Sequence, residues 1–121
     1  KEVLVVEDNA SSCRDAEHNA AENELPQITV QRASFTKAKL PKDVDVMIVD
    51  PPRSGLQRIG VDKVLAARPK LLIYVACAAE PMAGDLNTLT ANGYELTAMR
   101  LCDLFPHTDH VELVARLELR N

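Results

Sequence analysis

The chain has 121 residues, enough for one hydrophobic core and too few for two ordinary domains, so a single domain over 1–121 is expected. Apolar residues make up 46% and charged residues 26%, which excludes the low-hydrophobicity, high-charge regime of disordered chains. Lys plus Arg number 14 against 18 Asp plus Glu, a formal net charge of −4, so no global positive field advertises a polyanion and any nucleic-acid contact must be local or supplied elsewhere.

In chain order, Val3 to Val6 predict a short apolar strand, and Glu7-Asp8-Asn9 follow it with groups suited to capping a helix over about Ala10 to Glu22. Cys13, Ala16 and Ala20 form a small-residue stripe that lets this helix pack close to a sheet, which places Cys13 in the core. Asn23-Glu24-Leu25-Pro26 stop the helix, and Ile28 to Gln31 give a brief strand before a polar connection containing Pro41. Val44 to Val49 is dominated by β-branched and apolar residues, the composition of a strand buried on both faces, so a central place in a parallel sheet is predicted. The strand ends at Asp50, and Pro51-Pro52 forbid further ladder pairing. An acid is thereby held at a strand's carboxyl end, the edge at which open α/β sheets bind ligands.

Val61 to Ala67 read as a short helix broken by Arg68-Pro69, and Leu71 to Ala76 make the most apolar strand, with Cys77 directly at its end. Met82 to Ala91 form an amphipathic helix carrying Leu86 and Leu89, closed by Asn92-Gly93 as a left-handed cap. Tyr94 to Leu101 and Val111 to Leu119 are the last strands, bracketing a turn-rich loop from Phe105 to His110. The order β-α-β-β-α-β-α-β-β ends in two strands with no helix between them. It predicts a doubly wound α/β sheet with an antiparallel edge pair.

Glu7, Asp50, Cys77 and Glu112 all fall at strand ends or in the loops beside them. Cysteine is also a common core residue, Glu7 and Asp50 suit ordinary capping or turn roles, and Arg53 suits either an RNA phosphate or solvent. His107 and His110 read as locally bonded loop residues and not as metal ligands, and Cys102 as a small buried residue. Three widely spaced cysteines without a Cys-x-x-Cys pair suggest neither a disulfide framework nor a zinc site. No apolar run reaches the length of a membrane span and Lys1-Glu2 precede no long apolar leader, so a cytoplasmic protein is expected.

The wording around these positions carries more. Asp50-Pro51-Pro52-Arg53-Ser54-Gly55-Leu56, Tyr74-Val75-Ala76-Cys77 and Asp103-Leu104-Phe105-Pro106-His107-Thr108-Asp109-His110-Val111-Glu112 resemble, in order and spacing, the uracil-5 RNA methyltransferases that use S-adenosylmethionine. Val5-Val6-Glu7 and the Asp15, Ala16, Asn19, Ala20 and Asn23 pattern look like that family's second strand and following helix. The resemblance implies a Rossmann-like class I methyltransferase fold and an RNA substrate, ribosomal RNA slightly before transfer RNA. It also implies Cys77 as nucleophile at carbon-6 of the uracil, Glu112 as proton acceptor, and S-adenosylmethionine held by Glu7 at the ribose, Ser34 near the adenine and Asp50 near the cofactor and target base.

Two departures from the family pattern stand out. Cys77 is followed by Ala78-Ala79-Glu80-Pro81 where the family has Asn-Pro, which makes an inactive RNA-binding or scaffold relative one alternative. An amino-group methyltransferase using Asp50-Pro51-Pro52 is another. Only six residues precede Glu7, so the first strand and glycine-rich loop are expected in a missing N-terminal part of a longer enzyme, together with any RNA-binding or iron-sulfur module. The isolated chain is then expected to be inactive with an incomplete cofactor site, and to pair its two free strand edges directly, borrow a strand from a second copy or stay partly unfolded.

Overall fold

The structure, a computed structural model, describes residues 1–120. The described residues form strands β1 (Val3–Glu7), β2 (Ile28–Arg32), β3 (Val46–Val49), β4 (Leu71–Ala76), β5 (Tyr94–Cys102) and β6 (Glu112–Leu119), and helices α1 (Ala10–Glu22), α2 (Gln57–Ala67) and α3 (Ala79–Ala91). Their order is the predicted one. They fall into two compact units, Lys1–Lys39 and the residues from Leu40 onward, each taken by itself below.

In the N-terminal unit β1 and β2 pair in parallel from Val3↔Ile28 to Glu7↔Arg32, and α1 makes the crossover between them. Asn9 starts α1 because its Oδ1 accepts from the Ser11 and Ser12 N–H groups at 2.8 and 3.1 Å, satisfying two first-turn donors. Cys13 is buried and its thiol donates to the Glu7 carbonyl at 3.3 Å, with Ala16 and Ala20 half-buried on the same stripe. The core place expected of Cys13 is therefore present.

The second unit is a four-stranded sheet in the order β3-β4-β6-β5, with β3 and β4 parallel and β6 antiparallel to both β4 and β5. β4 alternates: Leu72, Tyr74 and Ala76 are buried on one face, beside Ala115 and Leu117 of β6. Val61 and Val64 of α2 and Met82, Leu86 and Leu89 of α3 complete this core. Gly93, at φ 98, closes α3 in the left-handed region, and the Arg120 N–H donates to its carbonyl at 2.8 Å.

Three sequence expectations are corrected. Among the described residues β3 is not central but stands at the edge of its sheet, one of the free strand edges expected of this chain: it pairs with β4 alone, and Val46 and Ile48 are 50% and 71% exposed. Four apolar residues do not specify how many strands flank them, so the run alone does not tell an edge from a centre. α2 begins at Gln57, a turn before Val61, because the chain turns at Pro52–Gly55 and passes straight into the helix. α3 begins at Ala79 and not at Met82, since Pro81 falls in the first turn, where a missing N–H breaks no intrahelical bond.

Candidate active site

The register of the antiparallel strands builds the site. Ala76↔Leu113 is the last rung between β4 and β6, and continuing it by one residue puts Cys77 opposite Glu112. Cys102↔Glu112 is the end rung between β5 and β6. Residues opposed across antiparallel strands share a face, so Cys77, Glu112 and Cys102 form one row over three strands. Val75 and Val114 lie two residues further in, on the same face.

These groups line a pocket of about 410 Å³, together with Asp50 from the end of β3 and Leu104 and Phe105 from the loop after β5. Cys77 and Asp50 are exposed and Glu112 is half-buried. Cys102, expected to be a small buried residue, is instead half-buried and faces the same pocket as Cys77. The cavity thus combines apolar walls with two thiols and two carboxyl groups.

The Phe105 loop owes its shape to a tight turn. The Thr108 N–H donates to the Phe105 carbonyl at 3.2 Å and the Thr108 hydroxyl to the same oxygen at 2.7 Å. Pro106 occupies the second turn position and His107, at φ 67, the third, the pattern of a type II turn. The Phe105 ring meets His110 edge-on, with centroids 6.5 Å apart.

The loop after β3 is held from behind. The Gly55 N–H donates to the Pro52 carbonyl at 2.8 Å, closing a turn with Arg53 and Ser54 at its exposed corners. The Leu56 N–H then donates to Asp85 Oδ2 at 2.7 Å and to the Tyr74 hydroxyl at 3.3 Å, while that hydroxyl donates to Asp85 Oδ2 at 2.6 Å. The sequence gives Tyr74 no role beyond its place in Tyr74-Val75-Ala76-Cys77 and Asp85 none, although Asp85 carries a signal. It lies three residues after Met82 and four before Leu89, on the apolar stripe of α3, where a carboxylate needs a partner.

Burial, and after it the hydrogen bond and charge of Asp85, push the Tyr74 hydroxyl well above the ordinary tyrosine value. The unfolded chain therefore ionises first as pH rises, so the stability this group contributes is full below about pH 10 and is lost above it. Tyr94, also raised by burial, adds to the same alkaline limb. Tyr74→Phe is expected to flatten the limb by up to about 1.4 kcal/mol per pH unit, measured by denaturant melts from about pH 9 to about pH 11.

Glu7 and Ser34 belong to the N-terminal unit. Both stand at the carboxyl end of its two strands: Glu7 is the last residue of β1, and Ser34 follows β2, where the Ala33 N–H donates to the Glu7 carbonyl at 3.0 Å. Glu7 Oε1 accepts from the Asn9 N–H at 2.7 Å, which fixes the carboxylate, and the Ser34 hydroxyl lies 3.3 Å from that of Thr36.

The family model of the tRNA (uracil-5-)-methyltransferases matches residues 1–120. The chain belongs to this family. An RNA methyltransferase of Aquifex aeolicus is 37% identical to it over 116 residues, covering 93% of this chain and 27% of the relative. The crystal structure of the Pyrococcus abyssi tRNA (uracil-54, C5)-methyltransferase, in complex with S-adenosyl-L-homocysteine, superposes with a TM-score of 0.84 at 34% identity, over 96% of this chain and 28% of that one. The M. jannaschii protein TYW2 in complex with AdoMet, at 18% identity and a TM-score of 0.68, shares the fold. That fold is the Rossmann-like one of class I methyltransferases. The chain spans just over a quarter of the length of its Aquifex and Pyrococcus abyssi relatives.

The cysteines of this family member differ sharply in accessibility. Cys77 is exposed, Cys102 half-buried and Cys13 buried, and thiol modification follows exposure and local charge. Mild alkylation of the folded protein with peptide mapping is expected to label Cys77 first, Cys102 more slowly and Cys13 last. Labelling of Cys13 ahead of Cys77 would contradict the placement of both.

Proposed function

We propose that the full-length enzyme containing this chain methylates carbon-5 of a uridine in RNA, with Cys77 as nucleophile and Glu112 as proton acceptor. The observation that carries this is the placement of Cys77 opposite Glu112 on one sheet face, one residue beyond the last rung between β4 and β6, in a pocket that Asp50 also lines. Carbon-5 of uracil is a poor nucleophile. Addition of the Cys77 thiolate to carbon-6 breaks the carbon-5 to carbon-6 double bond and moves its electron pair toward the carbon-4 oxygen, which makes carbon-5 nucleophilic. S-adenosylmethionine, when bound, supplies the methyl group. Carbon-5 then bears both methyl and hydrogen, and the Glu112 carboxylate takes that proton. The double bond reforms as the carbon-sulfur bond breaks, and the thiolate is regenerated.

Glu7 and Ser34 have the chemistry to bind the cosubstrate: a carboxylate at a strand's carboxyl end suits a ribose diol, and a nearby hydroxyl suits the adenine edge. Asp50 reaches the pocket from the end of β3 and is assigned a role near the cosubstrate and the target base. Glycine-rich backbone for the remaining contacts is expected from the part of the polypeptide ahead of this chain. The family name and that of the Pyrococcus abyssi protein both specify tRNA, so tRNA is the first substrate to try. The Phe105-Pro106-His107-Thr108 wording keeps ribosomal RNA as the second. Cytoplasmic action is part of the same proposal.

RNA carrying 5-fluorouracil tests the mechanism, because fluorine at carbon-5 cannot leave as a proton does and the cysteine adduct persists. Mass spectrometry of the full-length enzyme should find the RNA attached to the peptide containing Cys77. No adduct with either RNA would favour a scaffold role, and methylation that survives Cys77→Ala would favour amino-group chemistry at Asp50-Pro51-Pro52.

A further inference from the structure

We propose that Asp85 is a positioning residue: through the Leu56 N–H and the Tyr74 hydroxyl it holds the Pro52–Gly55 turn, and with it Asp50 and Arg53, against the strand end that carries Cys77. The proposal rests on the methyltransferase function inferred above.

Asp85 is the one buried charged residue among the described ones, at 8% exposure. Its neighbours along the helix stripe are Met82, Leu86 and Leu89, so an apolar residue would satisfy packing there. Burying a carboxylate is costly unless hydrogen bonds compensate, and here both donors converge on one oxygen, Oδ2. The three partners come from segments that meet at the site. Tyr74 is three residues before Cys77, α3 begins two residues after Cys77, and Leu56 follows the loop that starts at Asp50.

The link from Leu56 back to Asp50 is short and stiff. Pro51 and Pro52 each have φ fixed by their rings, and the next residues are locked by the Gly55 N–H to Pro52 carbonyl bond. A loop built this way has few soft torsions, so fixing its far end at Leu56 also fixes where the Asp50 carboxylate enters the pocket and where Arg53 projects. Gly55 permits the close approach: a Cβ there would lie 2.7 Å from Asp85 Oδ2. The sequence order strand, Asp50-Pro51-Pro52, turn and Gly55 is thus one half of a clamp whose other half is Asp85.

The test uses the full-length enzyme with Asp85→Asn and Asp85→Leu. Asparagine keeps an acceptor oxygen without charge, whereas leucine keeps bulk and removes the acceptor. Amide hydrogen exchange, measured without RNA, is expected to show the Leu56 amide protected in the wild type and exchanging about tenfold faster or more in Asp85→Leu, with Asp85→Asn between them. Turnover is expected to follow the same order, with the loss mainly in kcat and partly restored by asparagine. An unchanged Leu56 amide in Asp85→Leu would overturn the proposal. So would faster exchange with kcat unaltered, which would make the clamp merely structural. Should the leucine variant fail to fold, the wild type and Asp85→Asn carry the comparison: unchanged Leu56 exchange and kcat in Asp85→Asn, beside an unprotected wild-type amide, would overturn it equally. A wild-type enzyme that forms no adduct with 5-fluorouracil RNA would bring down the underlying function instead, and the RNA-free exchange data separate the two failures.

Discussion

Glu112→Gln in the full-length enzyme is expected to stop the reaction after methyl transfer, leaving Cys77 joined to methylated RNA. Glutamine keeps the shape of the side chain in a half-buried position at the head of β6, so the pocket that it lines with Cys77 and Asp50 should persist. Its amide is no base toward the proton on carbon-5. Without that proton's departure the electron pair needed to expel the thiolate does not form, so the earlier bond-making steps proceed and the last one fails. Turnover should fall by roughly 10²–10⁴, the usual contribution of a positioned general base. A denaturing gel with labelled RNA should show a slow-moving protein-RNA species that accumulates with natural uridine, where the wild type shows it only with 5-fluorouracil. Normal turnover without a trapped species would remove Glu112 from the mechanism and leave the proton to another acceptor, Asp50 being the other carboxylate on the pocket.

Local signals in the sequence located the parts of this site more surely than the sheet around them. Cys77 lies where the apolar run Leu71 to Ala76 predicts a strand end, because Pro69 and the change of pattern after Ala76 bound that run on both sides. The bounds of α1 were readable because Asn9 supplies a cap and Asn23-Glu24-Leu25-Pro26 a stop. What sequence could not supply was the neighbour of each strand. The Val46 to Val49 run looks the same whether two strands flank it or one, so its place at an edge appears only in the pairing. Cys102 departs from the burial expected of it for a related reason: its half-buried state follows from the rung it shares with Glu112, ten positions away. Neither Asp85 nor Tyr74 shows its role within its own element. Their meaning comes from Leu56, which approaches from a third.

That convergence makes Gly55 the residue on which the loop most depends, and Gly55→Ala is expected to destabilise the protein by about 2–4 kcal/mol. Two costs act together. Gly55 sits at φ 77, in the left-handed region that disfavours a side chain by about 1–2 kcal/mol. The new methyl would also stand 2.7 Å from Asp85 Oδ2, 3.1 Å from Pro81 Cβ and 3.3 Å from the Tyr74 hydroxyl. Asp85 and Tyr74 cannot swing aside cheaply, since each is buried and bonded to the other, and Pro81 is fixed in the first turn of α3. Relief must come from lifting the loop, which breaks the Leu56 N–H bond to Asp85 and leaves a buried carboxylate short of a donor. Gly84 provides the opposite case within the same helix as Asp85. A Cβ there meets nothing within 4 Å, so Gly84→Ala exchanges a poor helix former for the best one and should stabilise by about 0.5–1 kcal/mol. Denaturant melts of the two variants should therefore move the midpoint in opposite directions. A Gly55→Ala protein as stable as the wild type would show that the Pro52–Gly55 turn is not held against Asp85 in the way its hydrogen bonds describe.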